Sequence, residues 1–332
     1  MTSRFLKLGL TTAIAALATI ATGIVSTAHA DDAALKGKTV AFVPTSLGYD
    51  LTDGWNAMIR QQLEPLGVKI VVRDPNWSTD AGAQAITSLI SEKPDVLLVQ
   101  NPDIQSYARL LKRAEDAGIR VVQVNMRSSA NTSAFVGADW VGIGEAMANA
   151  VVEKCGTGSG KSGKISIVQG VLTAAASTYQ MKGVQNVLAK HPEIKVVSNQ
   201  AADWDASKAR AVTDTALKQN ADLCGVIGFW DGQDTGTAAA IREAKKQDQV
   251  FLTTNGGAAK TGCANVANGS FSAYMTYDVK QQSDELVKVV KTLLTTSGRP
   301  ATDISRVTPV TVITKANLRG DSCWNLDDYK KK

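Results

Sequence analysis

The stretch Lys154–Gly170, "KCGTGSGKSGKISIVQG", decides between two folds of very different meaning. Its glycines and its Gly160-Lys161-Ser162 suggest a phosphate-binding loop. Such a loop reads G-x-x-x-x-G-K-[ST] and leads from a strand into a helix. Here Cys155 stands where the motif needs its first glycine, and the order of elements is reversed. A helical pattern (142–154) precedes the glycines, and an apolar, β-branched run (164–169) follows them. A phosphate needs the free N–H groups and dipole of a helix N-terminus, and this arrangement offers none. Gly156 fits instead the habit of glycine just past a helix end. The stretch is a helix–turn–strand joint, and the chain on either side of it should be a series of such joints.

That is what the flanks show. Upstream, strand-like runs at 39–45, 68–74, 95–102, 119–125 and 133–139 alternate with helical ones. "GWNAMIRQQLEPLG" sets Trp55, Ile59 and Leu63 at helical spacing, which places Trp55 in a core. "STDAGAQAITSLISEK" opens on Ser78 or Thr79 as a cap, and "SYARLLKRAEDAG" follows the third strand. Downstream, strands at 164–170, 194–200, 224–231, 249–257 and 270–277 again alternate with helices. A last helix, "KQQSDELVKVVKTLLT", precedes an extended tail, "VTPVTVITKANL". Strand–helix alternation implies right-handed βαβ units and parallel sheets. Near-continuous apolar strands suit sheets covered on both faces. Two successive series predict two similar α/β lobes, in keeping with 332 residues, too many for one typical core.

The first 30 residues stand apart. Arg4 and Lys7 precede an uncharged apolar run, and Ala28-His29-Ala30 precedes Asp31-Asp32. This is the layout of a secretory signal cleaved after Ala30. No cysteine follows the run to carry a lipid anchor, and no later segment is apolar enough to cross a membrane. Removing the two basic residues takes the net charge from +5 to +3, too weak a field to argue for nucleic acid. Four cysteines (Cys155, Cys224, Cys263 and Cys323) in an exported chain favour disulfides, with three connectivities open.

Ligands of open α/β sheets bind beyond the carboxyl ends of the strands. Those ends carry Tyr49, Gln100-Asn101, Asn125-Met126-Arg127, Trp204, Trp230-Asp231 and Asn255. Aromatic faces with directional polar groups suit a compact, neutral, hydroxyl-rich molecule. Trp77 reads as cover for a loop and Trp140 as packing between lobes. Catalysis finds no foothold. The expected mature chain holds one histidine, His191, at a helix-end turn on the far edge, and no cluster has metal-ligand spacing. No cofactor is expected, and the chain reads as a non-enzyme.

The chain resembles the bacterial periplasmic sugar-binding proteins of the ribose-binding type. The resemblance rests on "KTVAFVPTSLGYD", "PDVLLVQNPD", "AEDAGIRVVQVN", "NTSAFVGADWVGIGEAMA", "GKISIVQG", "NQAADWDASKA" and "PVTVITKANL", in that order. It implies two Rossmann-like lobes joined by a three-crossover hinge, the type I periplasmic-binding fold. The crossovers would fall near Asp139, Asp278 and 310–314. The first lobe would be 31–138 plus 279–309, the second 139–277, and 310–332 the last crossover and tail. It also implies a periplasmic, monomeric receptor that binds a ligand between the lobes and delivers it to the permease of an ABC importer. A sensor or chemotaxis receptor, or a binder of a non-sugar signalling molecule, is the alternative. A related repressor would need an N-terminal helix-turn-helix, where the export signal stands.

By the resemblance, the position after the first strand falls on Tyr49, with Leu51 and Thr52. The family's Asp-Arg pair falls on Asn125-Met126, with Arg127 one place late, and an Arg falls on Thr178. A stacking Phe becomes Trp204, and an Asn-Asp pair becomes Trp230-Asp231. An Asp becomes Asn255, and a hinge Gln becomes Tyr277. Asn101 and Asp139 complete the expected ligand set. The site thus loses charge and gains aromatic area, which favours a polyol, cyclitol, furanose or less polar sugar over ribose. The family strand order also makes the strands at 164 and 225 neighbours. It thereby suggests Cys155–Cys224 and, with Cys263 in the turn after "TTNGG", Cys263–Cys323.

Overall fold

The structure is a computed structural model that describes residues 33–330; the expected export signal lies outside the described residues. Two six-stranded sheets form the molecule. The first holds β1 (Thr39–Val43), β2 (Lys69–Val72), β3 (Val96–Val99), β4 (Arg120–Asn125), β5 (Ala134–Ala138) and β11 (Ile304–Thr308). The second holds β6 (Lys164–Gln169), β7 (Lys195–Ala201), β8 (Gly225–Gly228), β9 (Phe251–Gly256), β10 (Ala273–Thr276) and β12 (Thr311–Ile313). The strand orders are β11-β5-β4-β3-β1-β2 and β12-β10-β9-β8-β6-β7. All pairings are parallel except β10 with β12.

The helices follow from the sequence as capped, amphipathic connections. The first lobe takes α1 (Asp50–Leu63), α2 (Thr79–Glu92) and α3 (Ala108–Asp116). The second takes α4 (Trp140–Cys155), α5 (Ala175–Leu188), α6 (Ala206–Gln219), α7 (Asp231–Glu243) and α8 (Lys260–Ala267). Ser78 caps α2, Asp139 caps α4 and Asp205 caps α6, each side chain accepting a first-turn N–H. Successive strand residues feed opposite faces. Val40 and Phe42 join the core under α1 and α9 (Val279–Thr295), while Ala41 and Val43 join the one under α2 and α3. Trp55 lies fully buried in the former.

The chain passes between the sheets after Ala138, after Thr276 and between Thr308 and Thr311. The tail is more than an extended crossover, since β12 pairs antiparallel with β10. Beyond it, Cys323 bonds Cys263 and Cys155 bonds Cys224. Cys263 lies on α8 and not in a turn. "KTGCANVA" buries Gly262, Cys263 and Val266 and closes a short helix that its mixed composition hides. Trp324 follows the second disulfide, donates to the Gly257 carbonyl at 2.6 Å and reaches the first lobe, where it packs on Gly54 of α1. Thr261 Oγ1 donates to Asp50 Oδ2 at 2.6 Å, and the Ile104 N–H donates to the Thr173 carbonyl at 3.2 Å. The two lobes therefore touch, and the cleft between them is closed.

Candidate functional site

The carboxyl ends of both sheets enclose a cavity of about 430 Å³. Its wall is aromatic. Tyr49 stacks on Trp77 (centroids 5.3 Å, planes 18° apart), meets Trp230 edge-on at 5.5 Å, and Trp230 meets Trp204 edge-on at 6.3 Å. Tyr49 and Trp77 belong to the first lobe, Trp204 and Trp230 to the second. Trp140 and Tyr277 pack edge-on at 5.2 Å elsewhere on the wall.

The backbone holds two of these rings in a costly way. Asn76 and Trp77 have φ of 48° and 65°, and Asp203 and Trp204 have 51° and 65°. Left-handed backbone at a bulky residue costs about 1–3 kcal/mol and persists only where the surroundings impose it. The imposing features match in the two lobes: each pair follows the second strand of its series and precedes a helix cap, Ser78 or Asp205. Trp204 lies so close to Gly170, at the end of β6, that any Cβ there would collide with its ring.

The polar lining combines neutral amides and hydroxyls with Asp103, Asp203, Asp205 and Lys208, the last paired with Asp203 at 2.8 Å. Gln100 Oε1 accepts from the Thr45 N–H and from Thr45 Oγ1, both at 3.0 Å, and Thr45 Oγ1 bonds the Tyr49 hydroxyl at 3.0 Å. Asn125 Oδ1 accepts from Gln282 Nε2 at 3.2 Å, and its carbonyl accepts from Trp140 Nε1 at 2.9 Å. Asn255 Nδ2 donates to Gln180 Oε1 at 2.6 Å, while Asn255 Oδ1, buried, has no partner. Burial pushes the Tyr49 hydroxyl up to about 12 and holds that of Tyr277 well above its usual range, so both stay neutral.

Of the residues expected from the sequence, Tyr49, Asn125, Trp204, Trp230, Asn255 and Tyr277 line this cavity. Five do not. Thr52 is buried inside α1. Asn101 is fully buried behind the wall, donating to Gln123 Oε1 at 3.0 Å and to the Met126 carbonyl at 2.8 Å. Arg127 turns outward, where its guanidinium lies 3.9 Å over the Phe135 ring and donates to Ser305 Oγ at 2.6 Å. Asp139 is spent on capping α4. Thr178 is exposed on α5 and donates to the Leu172 carbonyl, whereas Gln180, two residues on, is the one that meets Asn255.

Asp231 lines a smaller neighbouring cavity of about 150 Å³, shared with Asp50 and Trp324. It accepts from the Tyr274 hydroxyl at 2.6 Å, and burial raises its carboxyl to about 6. Behind it, fully buried Asp234 accepts from Thr254 Oγ1 at 2.5 Å and Thr237 Oγ1 at 3.1 Å, and burial raises it to about 7.

Sequence reasoning missed Trp77 and Trp140 as lining residues, whereas Gln100, named at a strand end, is on the wall. Trp77 covers the cavity mouth rather than a loop, and it remains 50% exposed. The signal for it lies in the likeness of "DPNWST" to "AADWDAS", which occupy the same place in the two series. Among the described residues, no cluster of three or more metal-ligating side chains occurs.

Comparison with known proteins agrees with this architecture. Residues 40–299 match the periplasmic binding protein domain family. The ribose import binding protein of Bacillus subtilis is 24% identical over 58% of this chain and 62% of its own length. The xylitol-binding protein of Mycolicibacterium smegmatis is 24% identical over 78% of this chain and 73% of its own. A putative rhizopine-binding protein of Rhizobium meliloti is 24% identical over 80% and 88%. The match to the D-allose-binding periplasmic protein of Escherichia coli spans 41% of that protein. Among solved structures, an ABC transporter solute-binding protein from Agrobacterium vitis with bound D-fucose superposes with a TM-score of 0.77 at 20% identity, covering 85% of this chain and 97% of that one. With the family match spanning most of the chain, the protein belongs to the periplasmic binding protein domain family.

Proposed function

We propose that the protein is an exported solute receptor that closes its two lobes on one neutral, sugar-like ligand and presents it to an ABC permease. The observation that carries this reading is the interlobe cavity itself. Its four clustered aromatic rings come from both lobes, and its amide groups include an acceptor with no protein partner. A ring with apolar C–H faces and hydroxyl edges satisfies both kinds of surface. Tyr49, Trp77, Gln100, Asn125, Trp140, Trp204, Trp230, Asn255 and Tyr277 would be its contacts. Domain closure of this kind needs no catalytic group. The relatives named for ribose, xylitol and D-allose support the ligand class.

A thermal-shift panel of pentoses, hexoses, polyols and cyclitols tests the reading. At 100 times its Kd, a ligand of the folded state adds about 2.7 kcal/mol to stability. A positive shift that shrinks in Trp204→Ala supports the reading; a panel without any shift refutes the ligand class.

A further inference from the structure

We propose that Gln282, buried behind the cavity wall, is a positioning residue that makes Asn125 a hydrogen-bond donor towards the ligand. The cleft thereby selects a ligand whose oxygen accepts at that point. The inference rests on the reading of the cleft as a sugar site and adds a residue that sets its specificity without touching the ligand.

Gln282 lies on α9 and is fully buried. An amide can face either way, so its partners decide its direction, and here two of them decide independently. On one side Trp55 Nε1, which can only donate, meets Gln282 Oε1 at 3.2 Å. On the other, Thr308 has a single hydroxyl hydrogen, and the Tyr277 carbonyl, which can only accept, takes it at 2.6 Å. Thr308 Oγ1 must then accept from Gln282 Nε2, 3.3 Å away. A reversed Gln282 would set two donors against each other at Trp55. The same Nε2 donates to Asn125 Oδ1 at 3.2 Å. With its oxygen taken, Asn125 offers its NH₂ group to the Tyr277 hydroxyl and to the cavity it lines.

The hinge holds Asn125 from every side. Its backbone is left-handed, with φ of 61°, and its carbonyl accepts from Trp140 Nε1 at 2.9 Å. Trp140 opens α4 beyond the first crossover, Tyr277 follows the second, and Thr308 precedes the third. Asn125 meets the first two directly and the third through Gln282. Packing alone does not call for this arrangement. Phenylalanine at 55 and an apolar side chain at 282 would fill the same space with no buried polar atom to satisfy. What the buried indole N–H and amide add is a direction, handed on from Trp55 through Gln282 to the one amide group that faces the ligand.

Isothermal titration of the mature protein with D-ribose, D-xylose, D-galactose, xylitol and myo-inositol supplies the probe that binds most tightly. Gln282→Glu then tests the direction of the amide. While protonated, the new carboxyl copies the amide, accepting from Trp55 and donating to Asn125. Once ionised it only accepts, so Asn125 has to give it the NH₂ group and turn its oxygen to the ligand. Burial raises such a carboxyl, which brings the change between about pH 5 and about pH 9. Against wild type at the same pH, the affinity should agree within about twofold at the lower pH and be at least about tenfold weaker at the higher. A side chain that only fills space gives no such profile. The double variant Trp55→Phe with Gln282→Met serves if the first fails to fold, since it leaves no indole N–H unpaired. It should melt close to wild type yet bind the probe at least about tenfold more weakly. A Gln282→Glu ratio that stays flat with pH, or wild-type affinity in the double variant, overturns the inference and leaves the sugar-site reading standing. A wild-type protein that binds none of the probes overturns that reading and the inference with it.

Discussion

The two lobes meet the ligand space with the same devices but are held together differently. Each has a tryptophan on a left-handed pair after its second strand (Trp77 and Trp204) and an asparagine at or near the end of its fourth (Asn125 and Asn255). Yet both disulfides and both carboxyls of raised pKa belong to the second lobe. Binding groups follow the topology, which repeats, because strand ends are where a parallel sheet exposes them. Cross-links and buried charges answer local needs, which do not repeat. The Cys155–Cys224 bond ties the end of α4 to the start of β8, and the second bond fastens a tail that the first lobe lacks.

Removing the cross-links should have the largest effect. Each closes a long loop, with partners 69 and 60 residues apart, and the chain-entropy account gives about 4 kcal/mol apiece. Cys155→Ser and Cys263→Ser should each lower the urea midpoint, and hydrogen exchange should quicken in the second lobe alone. Equal quickening in both lobes would break the comparison. Next comes Trp230, the ring that touches the other three. Trp230→Ala should weaken ligand binding by about 100-fold, as expected of a central aromatic anchor, read by calorimetry.

The pH response should follow. Burial raises the Asp231 and Asp234 carboxyls to about 6 and about 7 in the folded state, well above the ordinary carboxylate range. The native state therefore holds protons that the unfolded state releases. The contribution of these carboxyls to stability should be full below about pH 4 and be lost as pH rises through about 6 and 7. Asp234→Asn should flatten that slope in melts across the range. The smallest effects sharpen the comparison most. Trp204 is half-buried against Gly170, whereas Trp77 is half-exposed. Alanine at Trp204 should weaken binding by about 30-fold, and at Trp77 by about fivefold. Equal losses would mean that the two tryptophans act as equivalent walls.

Much of this was legible in the sequence. Apolar β-branched runs and capped amphipathic stretches report directly on a doubly covered parallel sheet, so most of the element order could be read off, α8 being the exception. Strand ends alone pointed to Tyr49, Gln100, Asn125, Met126, Trp204, Trp230 and Asn255, all on the cavity wall. Failures arise where side-chain direction matters. Arg127 follows a strand end, but Phe135 and Ser305 draw it outward. Thr178 lies two positions from Gln180, the residue whose helical phase faces Asn255. Asp139 could bind or cap, and a helix start decides for capping. Trp77 follows an edge strand with little apolar context, and only its counterpart in the second series shows what it is for.

The indole of Trp324 fills the hollow made by the missing side chain of Gly54, while its own backbone bridges to Ala259 and its N–H is fixed to Gly257. It is therefore a peg carried by one body and seated in a socket on the other. Opening the cleft has to unseat it, exposing an aromatic face and an apolar notch to water at once. On the proposed closure of the lobes, the balance between open and shut forms is thereby set in part by a contact outside the main cavity. Any side chain introduced at Gly54 would wedge the pair apart and leave a receptor that binds weakly with every ligand-contacting residue unchanged.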